Sequence, residues 1–176
     1  MKKIRAYLSG HVIFSNDSEA FTLLKASYFG ELVEGQKDKI QYSFTEALFL
    51  VEKNKMEVLS SNGKVIEKKV LMRKIQTLDK KINIKYPVFR DLREKGYVVK
   101  TALKFGAEFR VYDKGQKPGK NHSKWIVFTD HESNKTTWHD FSSKNRVAHS
   151  TKKKLLLAIV DEESDVTYYE VDWLKP

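Results

Sequence analysis

The run Arg146-Val147-Ala148-His149-Ser150-Thr151-Lys152-Lys153-Lys154-Leu155-Leu156-Leu157-Ala158-Ile159-Val160 changes character at its centre. Its first part mixes polar and apolar residues as the end of a helix does, and its last six residues are apolar without interruption. No apolar run in the chain is longer, and a membrane-spanning helix needs roughly 20 such residues, so Leu155–Val160 reads as a buried strand. A helix that delivers the chain straight into a buried strand implies a sheet with helices packed on it.

The neighbouring sequence extends this picture in both directions. Residues 97–104, 107–112 and 124–129 have strand composition, as do 155–161 and 167–173, with a helix near 142–150 between the third and fourth. Pro87 suits the first turn of a helix and Gly96 its C-terminal exit, which predicts a short helix over 87–95. Further upstream, residues 2–14 read as short strands turning at Gly10, and Asp17 or Ser18 can cap a helix running to about Ala26. Ser43-Phe44-Thr45-Glu46 is a capping box opening a second helix. Asn62-Gly63 between Met56–Ser60 and Lys64–Ile66 is a hairpin signal. Leu71, Ile75, Leu78 and Ile82 share one helical face, predicting a third helix over Glu67–Ile82. The fold class expected is α+β: a small N-terminal domain of helices and a hairpin sheet over 1–82, then a C-terminal mixed β-sheet domain flanked by helices over 83–176.

Composition narrows the function. The 176 residues carry a formal charge of +10, with a pI near 9.5, and 40% of them are apolar, too many for a disordered tail. The charge is spread evenly, with 15 basic and 10 acidic side chains in 1–82 and 18 and 13 in 83–176, so a binding surface has to arise by folding. There is no cysteine, which excludes disulfides, thiolate metal sites and cysteine nucleophiles. The N-terminal MKKIRAYLSGH has no apolar segment of the signal-peptide kind. A cytoplasmic protein with an anionic partner and no membrane association is expected.

Three places could carry chemistry. Tyr112 closes the strand Phe109-Arg110-Val111-Tyr112 beside a turn, and a phenol can act as a base when a cation is close. Most tyrosines at strand ends only pack and donate a hydrogen bond. Ten residues on, His122 in Asn121-His122-Ser123-Lys124-Trp125 enters the next strand; a loop histidine can supply a proton near neutrality, or simply be solvated. His131 and His139 lie in a polar loop nearby without metal-ligand spacing, so no metal and no other cofactor is expected. In Lys152-Lys153-Lys154, a lysine held against the buried strand can stabilise a developing phosphorane charge, although a lysine run is most often a solvated face.

In combination, the order Tyr, His ten residues later, then R-V-A-H-S-x-K-K-K before an apolar strand resembles the archaeal tRNA-splicing endonuclease family, in its short single-unit form. Tyr86-Pro87-Val88-Phe89-Arg90-Asp91-Leu92-Arg93-Glu94-Lys95-Gly96-Tyr97 and Leu103-Lys104-Phe105-Gly106-Ala107-Glu108-Phe109 strengthen the resemblance, as do Tyr168-Tyr169 and the ending Trp173-Leu174-Lys175-Pro176. The likeness is dense over 84–176 and thinner over 27–60, where Tyr28-Phe29-Gly30 precedes the capped helix.

The resemblance implies cleavage of precursor tRNA at bulge-helix-bulge intron junctions, without a metal ion, leaving 2′,3′-cyclic phosphate and 5′-hydroxyl ends. It implies Tyr112 as general base, His122 as general acid and Lys153, seven residues after Arg146, as the cation at the transition state, with Lys152 and Lys154 as neighbours in the same run. Arg146 would stack on an extruded bulge base, and Tyr168 or Trp173 would close the sandwich. Asp161, Glu162, Glu163 and Asp165 would form an acidic loop entering a basic pocket of a neighbouring subunit. A homotetramer is expected, or a heterotetramer with a paralogous subunit.

Other classes compete with this one. A metal-dependent nuclease would need a carboxylate partner on an adjacent strand that Glu94-Lys95 and Glu108 lack. A noncatalytic RNA-binding or structural subunit of a splicing complex need not keep Tyr112, His122 and Lys153 together. A DNA-binding chromatin protein would bind duplex with steep salt dependence and no preference for bulges. Lys68, Lys69, Arg73, Lys74, Lys80 and Lys81 along the third helix could touch RNA or accept the acidic loop, or form a solvated face.

Overall fold

A computed structural model of the chain describes residues 2–174; Lys175 and Pro176, at the end of the family-like C-terminus, lie outside the described residues. The chain forms two compact units, Met1–Tyr86 and Pro87–Pro176.

Unit 1 is built on β1 (Ile4–Ser9), β2 (Val12–Ser15), α1 (Ser18–Ser27), β3 (Glu31–Val33), β4 (Gln36–Tyr42), α2 (Phe44–Glu52), β5 (Met56–Leu59) and α3 (Lys68–Leu78). Its sheet has the order β3-β4-β2-β1-β5, with β1 parallel to β5 and the remaining pairs antiparallel. Strand alternation sends Ile4, Ala6, Ile13, Ile40 and Val58 into a core shared with Ala20, Leu48, Leu71 and Ile75 of the helices. The predicted capping box at α2 is present. Ser43 Oγ accepts from Glu46 N, and the Glu46 carboxylate accepts from Ser43 N at 3.0 Å. The same buried carboxylate accepts from Gly30 N at 3.0 Å, which ties the exit of α1 to the start of α2.

Two local expectations fail here, and one element has no counterpart among them. Asp17 flanks α1 without a side-chain cap; its carboxylate instead accepts from Arg5 N at 2.7 Å, across to β1. The Asn62-Gly63 turn forms, but its return strand is a single bridge between Leu59 and Val65, because the chain enters α3 almost at once and β5 is paired along its other edge with β1. The β3–β4 hairpin was not predicted: its apolar residues are few, and Lys37, Lys39 and Gln41 alternate with Ile40 and Tyr42 only over its second half.

The helix predicted over Glu67–Ile82 ends at Leu78, and the one predicted over 87–95 begins at Ile82 and continues as α4 (Ile82–Glu94). Asp79 makes the break. It adopts an extended conformation, and its carboxylate takes Lys81 N at 3.0 Å and Lys85 Nζ at 2.9 Å, so one acid ends α3 and opens α4. Pro87 therefore stands inside a helix, where it supplies no amide to the ladder, and the two units divide at that residue.

Unit 2 carries β6 (Val98–Ala102), a single 3-10 turn (Leu103–Phe105), β7 (Ala107–Tyr112), β8 (Trp125–His131), α5 (Trp138–Ser150), β9 (Lys154–Val160) and β10 (Val166–Val171). These form one mixed sheet, β10-β9-β8-β7-β6, in which β8 and β9 are parallel and the other pairs antiparallel. A parallel pair needs a crossover, and α5 provides it. It starts several residues before the predicted position, at a capping box of Thr137 and Asp140. Ile126, Phe128 and Leu155 face α5 and pack on Ala148, with Phe141, Val147 and Val171 around them. On the opposite face Phe109 meets Phe89 of α4, ring centroids 5.8 Å apart, and Tyr97 meets Trp125 edge-on.

Candidate active site

The pairing of three strands fixes one end of the unit 2 sheet. Lys124 N donates to Val111 O at 2.9 Å, and Lys154 N donates to Lys124 O at 3.0 Å. Because β7 runs against β8 and β8 runs with β9, the C-terminal end of β7 adjoins the N-terminal ends of β8 and β9. Tyr112 follows Val111, His122 precedes Lys124 by two residues, and Lys153 precedes Lys154. Residues far apart in sequence are thereby gathered at one end of the sheet.

Tyr112 is the last residue of β7, with its ring buried. Its hydroxyl makes no hydrogen bond among the described residues. The loop that follows is closed by its own side chains: Asp113 accepts from Lys114 N at 2.9 Å and pairs with Lys124 Nζ at 3.4 Å, while Asn121 accepts from Lys117 N at 3.0 Å. His122 leaves this closed loop exposed to solvent, whereas Ser123 next to it is buried.

The end of α5 fixes the three lysines differently. Thr151 N reaches Val147 O, Lys152 N reaches His149 O and Lys153 N reaches Ala148 O, with Lys152 in the left-handed region at φ 55°. Strand alternation then parts Lys153 from Lys154. Lys154 lies on the α4 side, where its ammonium binds Glu170 at 2.6 Å and Asp172 at 2.9 Å. Glu170 also accepts from the Trp125 indole at 2.6 Å. These partners raise the Lys154 pKa above its ordinary value. Lys153 lies on the α5 side, its ammonium donating to Thr151 O at 2.8 Å and standing 5.8 Å from the Phe105 ring centre. Burial, and then the nearby charge of Arg110, push its pKa below the ordinary lysine value. One lysine is neutralised by carboxylates; the other is cationic, partly desolvated and without a carboxylate partner among the described residues.

A cavity of about 410 Å³ opens beside these groups, with Ser123, Lys124, Lys153, Asn145, His149 and Trp173 in its walls. Tyr112 and His122 do not line it. Sequence reasoning assigned no role to Asn145 or His149, although His149 sits one helical turn beyond Arg146 and so shares its side of α5. The His149 and Trp173 rings are stacked, 4.8 Å apart with 28° between planes. Arg146 is exposed on the same helix and donates to Ser143 Oγ at 3.1 Å.

Tyr168 and Trp173 separate here. Tyr168 is on the α4 side of β10, donating to Asp91 at 2.7 Å with Lys95 Nζ 5.1 Å from its ring centre. Burial first, and then the Asp91 carboxylate, raise its pKa. Trp173 is on the α5 side, against His149. Asp161, Glu162, Glu163 and Asp165 form the turn between β9 and β10, at the opposite end of the sheet from Tyr112 and Lys153. Asp161 is turned inward, its carboxylate accepting from Asp165 N at 2.8 Å, while Glu162, Glu163 and Asp165 are exposed.

Among the described residues no group of three or more His, Asp or Glu is placed to hold a metal ion, and no helix is long and apolar enough to cross a membrane.

Comparison with known proteins bears on both units. The family model for the tRNA intron endonuclease N-terminal domain matches residues 4–72, and that for its catalytic C-terminal domain matches residues 82–168. A tRNA-splicing endonuclease of Thermococcus kodakarensis is 42% identical over 170 residues, covering 96% of this chain and 97% of the relative. That of Methanothermobacter thermautotrophicus is 42% identical over 151 residues, 85% of each chain, and that of Nanoarchaeum equitans is 41% identical over 145 residues, 79% of this chain and 92% of the relative. With both domains matched and relatives similar along nearly the whole length, the chain belongs to the tRNA intron endonuclease family, and is an endoribonuclease.

Proposed function

We propose that this protein cleaves precursor tRNA in the cytoplasm at bulge-helix-bulge intron junctions, without a metal ion, using Tyr112, His122 and Lys153. The observation that carries this reading is the strand register that gathers Val111-Tyr112, His122-Ser123-Lys124 and Lys153-Lys154 at one end of the sheet. In the reaction a ribose 2′-oxygen attacks its own 3′-phosphate while Tyr112 takes the 2′-hydroxyl proton. The bond from phosphorus to the 5′-oxygen breaks, and His122 protonates that oxygen. The products are a 2′,3′-cyclic phosphate and a 5′-hydroxyl. Attack by an adjacent hydroxyl is intramolecular, so proximity supplies much of the acceleration, and a base, an acid and a cation complete the set.

Lys153 rather than Lys152 or Lys154 fills the role of the cation. Lys154 spends its charge on Glu170 and Asp172, and Lys152 is exposed on a left-handed turn. Arg146 offers its guanidinium to a bulge base, and Trp173, on the same face of the sheet, is better placed than Tyr168 to close on it. Residues 83–176 hold the chemistry, and 1–82 serve structure and assembly. Glu162, Glu163 and Asp165 are presented outward for docking into a neighbouring subunit, with a homotetramer as the assembly.

The test is incubation of the purified protein in EDTA with a bulge-helix-bulge RNA and a fully paired control, followed by analysis of the ends. Cuts confined to the bulges, with cyclic phosphate ends and loss on His122→Ala, are expected. Tight bulge-specific binding without cutting would make the chain a noncatalytic subunit. Neither cutting nor bulge preference would overturn the reading.

A further inference from the structure

The helices of unit 1 pack on one face of its sheet, and the opposite face is open along β1, β2 and β4, although Leu59 of β5, beside Tyr7, is buried. On that second face lie Arg5 and Tyr7 of β1, Phe14 of β2, and Lys39 and Gln41 of β4, alternating with the buried Ile4, Ala6, Ile13 and Ile40. Tyr7 and Phe14 are directly opposed across the two strands, ring centres 5.9 Å apart and planes 32° from parallel. Tyr7 is 41% exposed, a large value for an aromatic ring on a sheet. Gln41 continues the row beside Phe14, and the Lys39 ammonium sits 3.9 Å from the Phe14 ring centre. Arg5 is exposed, and its guanidinium makes no hydrogen bond or ion pair among the described residues. Glu57, beside Arg5 on β5, is taken by Lys3 at 3.1 Å, and Glu31 stands at the β3 edge.

We infer that this face is a second RNA-contacting surface, which binds an unpaired segment by stacking bases on Tyr7 and Phe14 and holding phosphates with Arg5 and Lys39. Paired rings on inner strands with cations to either side suit a single strand, because each unpaired base exposes a flat π-face and each phosphate a charge. A duplex hides its base faces and would leave the rings unused. A protein partner would have to bury cations around only two part-exposed rings, the reverse of the charge-depleted centre of a protein interface. The inference rests on the tRNA-splicing reading in one respect only: the strand bound is taken to be part of the same precursor, outside the bulges.

The test uses the whole protein and two RNAs, a minimal bulge-helix-bulge RNA and the same RNA with a single-stranded extension of about ten nucleotides containing 5-iodouridine. The extension should tighten binding about fivefold or more and should photo-crosslink to a peptide within residues 3–15. Tyr7→Ser should remove that gain, and Lys39→Gln should lower the slope of log affinity against log salt by about 0.7 for the extended RNA. No gain from the extension, crosslinks confined to residues 87–176, or a gain that survives Tyr7→Ser in folded protein would each overturn the inference. So would a changed oligomeric mass in Tyr7→Ser without any crosslink, which would make the face a contact between copies. If Tyr7→Ser does not fold, the crosslink map of the parent protein and Tyr7→Leu, which keeps apolar bulk and loses the ring, decide instead. Cleavage of the minimal RNA by the parent protein is read in parallel, so its failure would overturn the splicing reading while leaving the extension result interpretable.

Discussion

The sheet of unit 1 has helices against one face, whereas the sheet of unit 2 has α4 against one face and α5 against the other. That difference decides where each can act. A sheet covered on both sides has no face to offer, so the groups proposed to react stand at strand ends, where direction follows from backbone register. Tyr112 and Lys153 share the α5 side for this reason, and Lys154, one residue on, is turned to the α4 side. An open sheet offers a face instead, and on unit 1 alternation lines up rings and cations there. Adjacent identical residues can face opposite sides and meet different partners when a strand begins between them.

The largest effect expected tests that difference directly. Lys153→Met should lower bulge cleavage by about 10²–10³-fold, the usual cost of removing a preorganised stabiliser of transition-state charge. It should not lower Tm, because the folded state holds this ammonium below its ordinary pKa of 10.5. A lysine depressed in that way destabilises the fold at every pH below its folded pKa, and the penalty fades as pH rises toward 10.5. The Tm advantage of Met at this position should therefore be present at neutral pH and vanish in strong alkali. Lys154→Met should do the reverse, with little change in cleavage and a fall in Tm. The Lys154–Glu170 stabilisation is lost as pH drops through the Glu170 pKa, which is held below 4.5, and as pH rises past 10.5 through the elevated Lys154 pKa. Equal cleavage losses in the two variants would break the distinction.

A second prediction concerns unit 1, where one buried carboxylate joins the exit of α1 to the start of α2. Glu46 accepts from Ser43 N, Ser43 Oγ and Gly30 N, each at 3.0 Å. Glu46→Ala leaves those donors without their acceptor and should cost about 3 kcal/mol in urea unfolding, with Glu46→Gln recovering part of it. Gly30→Ala should also destabilise, since Gly30 has φ 75° and a Cβ there would run into Ile40 and Tyr42. Cleavage per folded molecule should stay at the parent level in all three variants. A selective loss of cleavage would show that unit 1 does more for the chemistry than support and assembly.

How much of this was legible beforehand differs between the units for the same physical reason. In unit 2 the strands are apolar and bounded by turns, so the mixed sheet and the helix before β9 could be read from spacing, while Tyr112, His122 and Lys153 stand as candidates that the resemblance alone proposes. In unit 1 the β3–β4 hairpin is polar on its open face and short, so alternation gave too weak a signal. The boundary between α3 and α4 was misread because the apolar spacing from Leu71 to Ile82 runs unbroken through Asp79, and only the carboxylate bonds of Asp79 to Lys81 and Lys85 reveal that the helix stops. Pro87 suggests a helix start in the sequence because that is its commoner place, whereas it lies inside α4. The stack of Trp173 on His149 was out of reach, since it joins the end of one helix to residues beyond the last strand.

The smallest effects separate the two aromatic candidates on β10 and the segment after it. Tyr168→Phe removes the hydrogen bond to Asp91 and should cost about 1 kcal/mol of stability without altering bulge binding. Trp173→Ala should weaken binding of a bulge-helix-bulge RNA about tenfold with less effect on Tm, because its ring is 49% exposed and packs on the half of the sheet that faces the cavity. The pair is informative only together. If Tyr168→Phe impairs binding more than Trp173→Ala does, RNA must reach the α4 side of a sheet edge whose tyrosine is already bonded to Asp91. The assignment of chemistry to the α5 side, on which the choice of Lys153 also rests, would then fail with it.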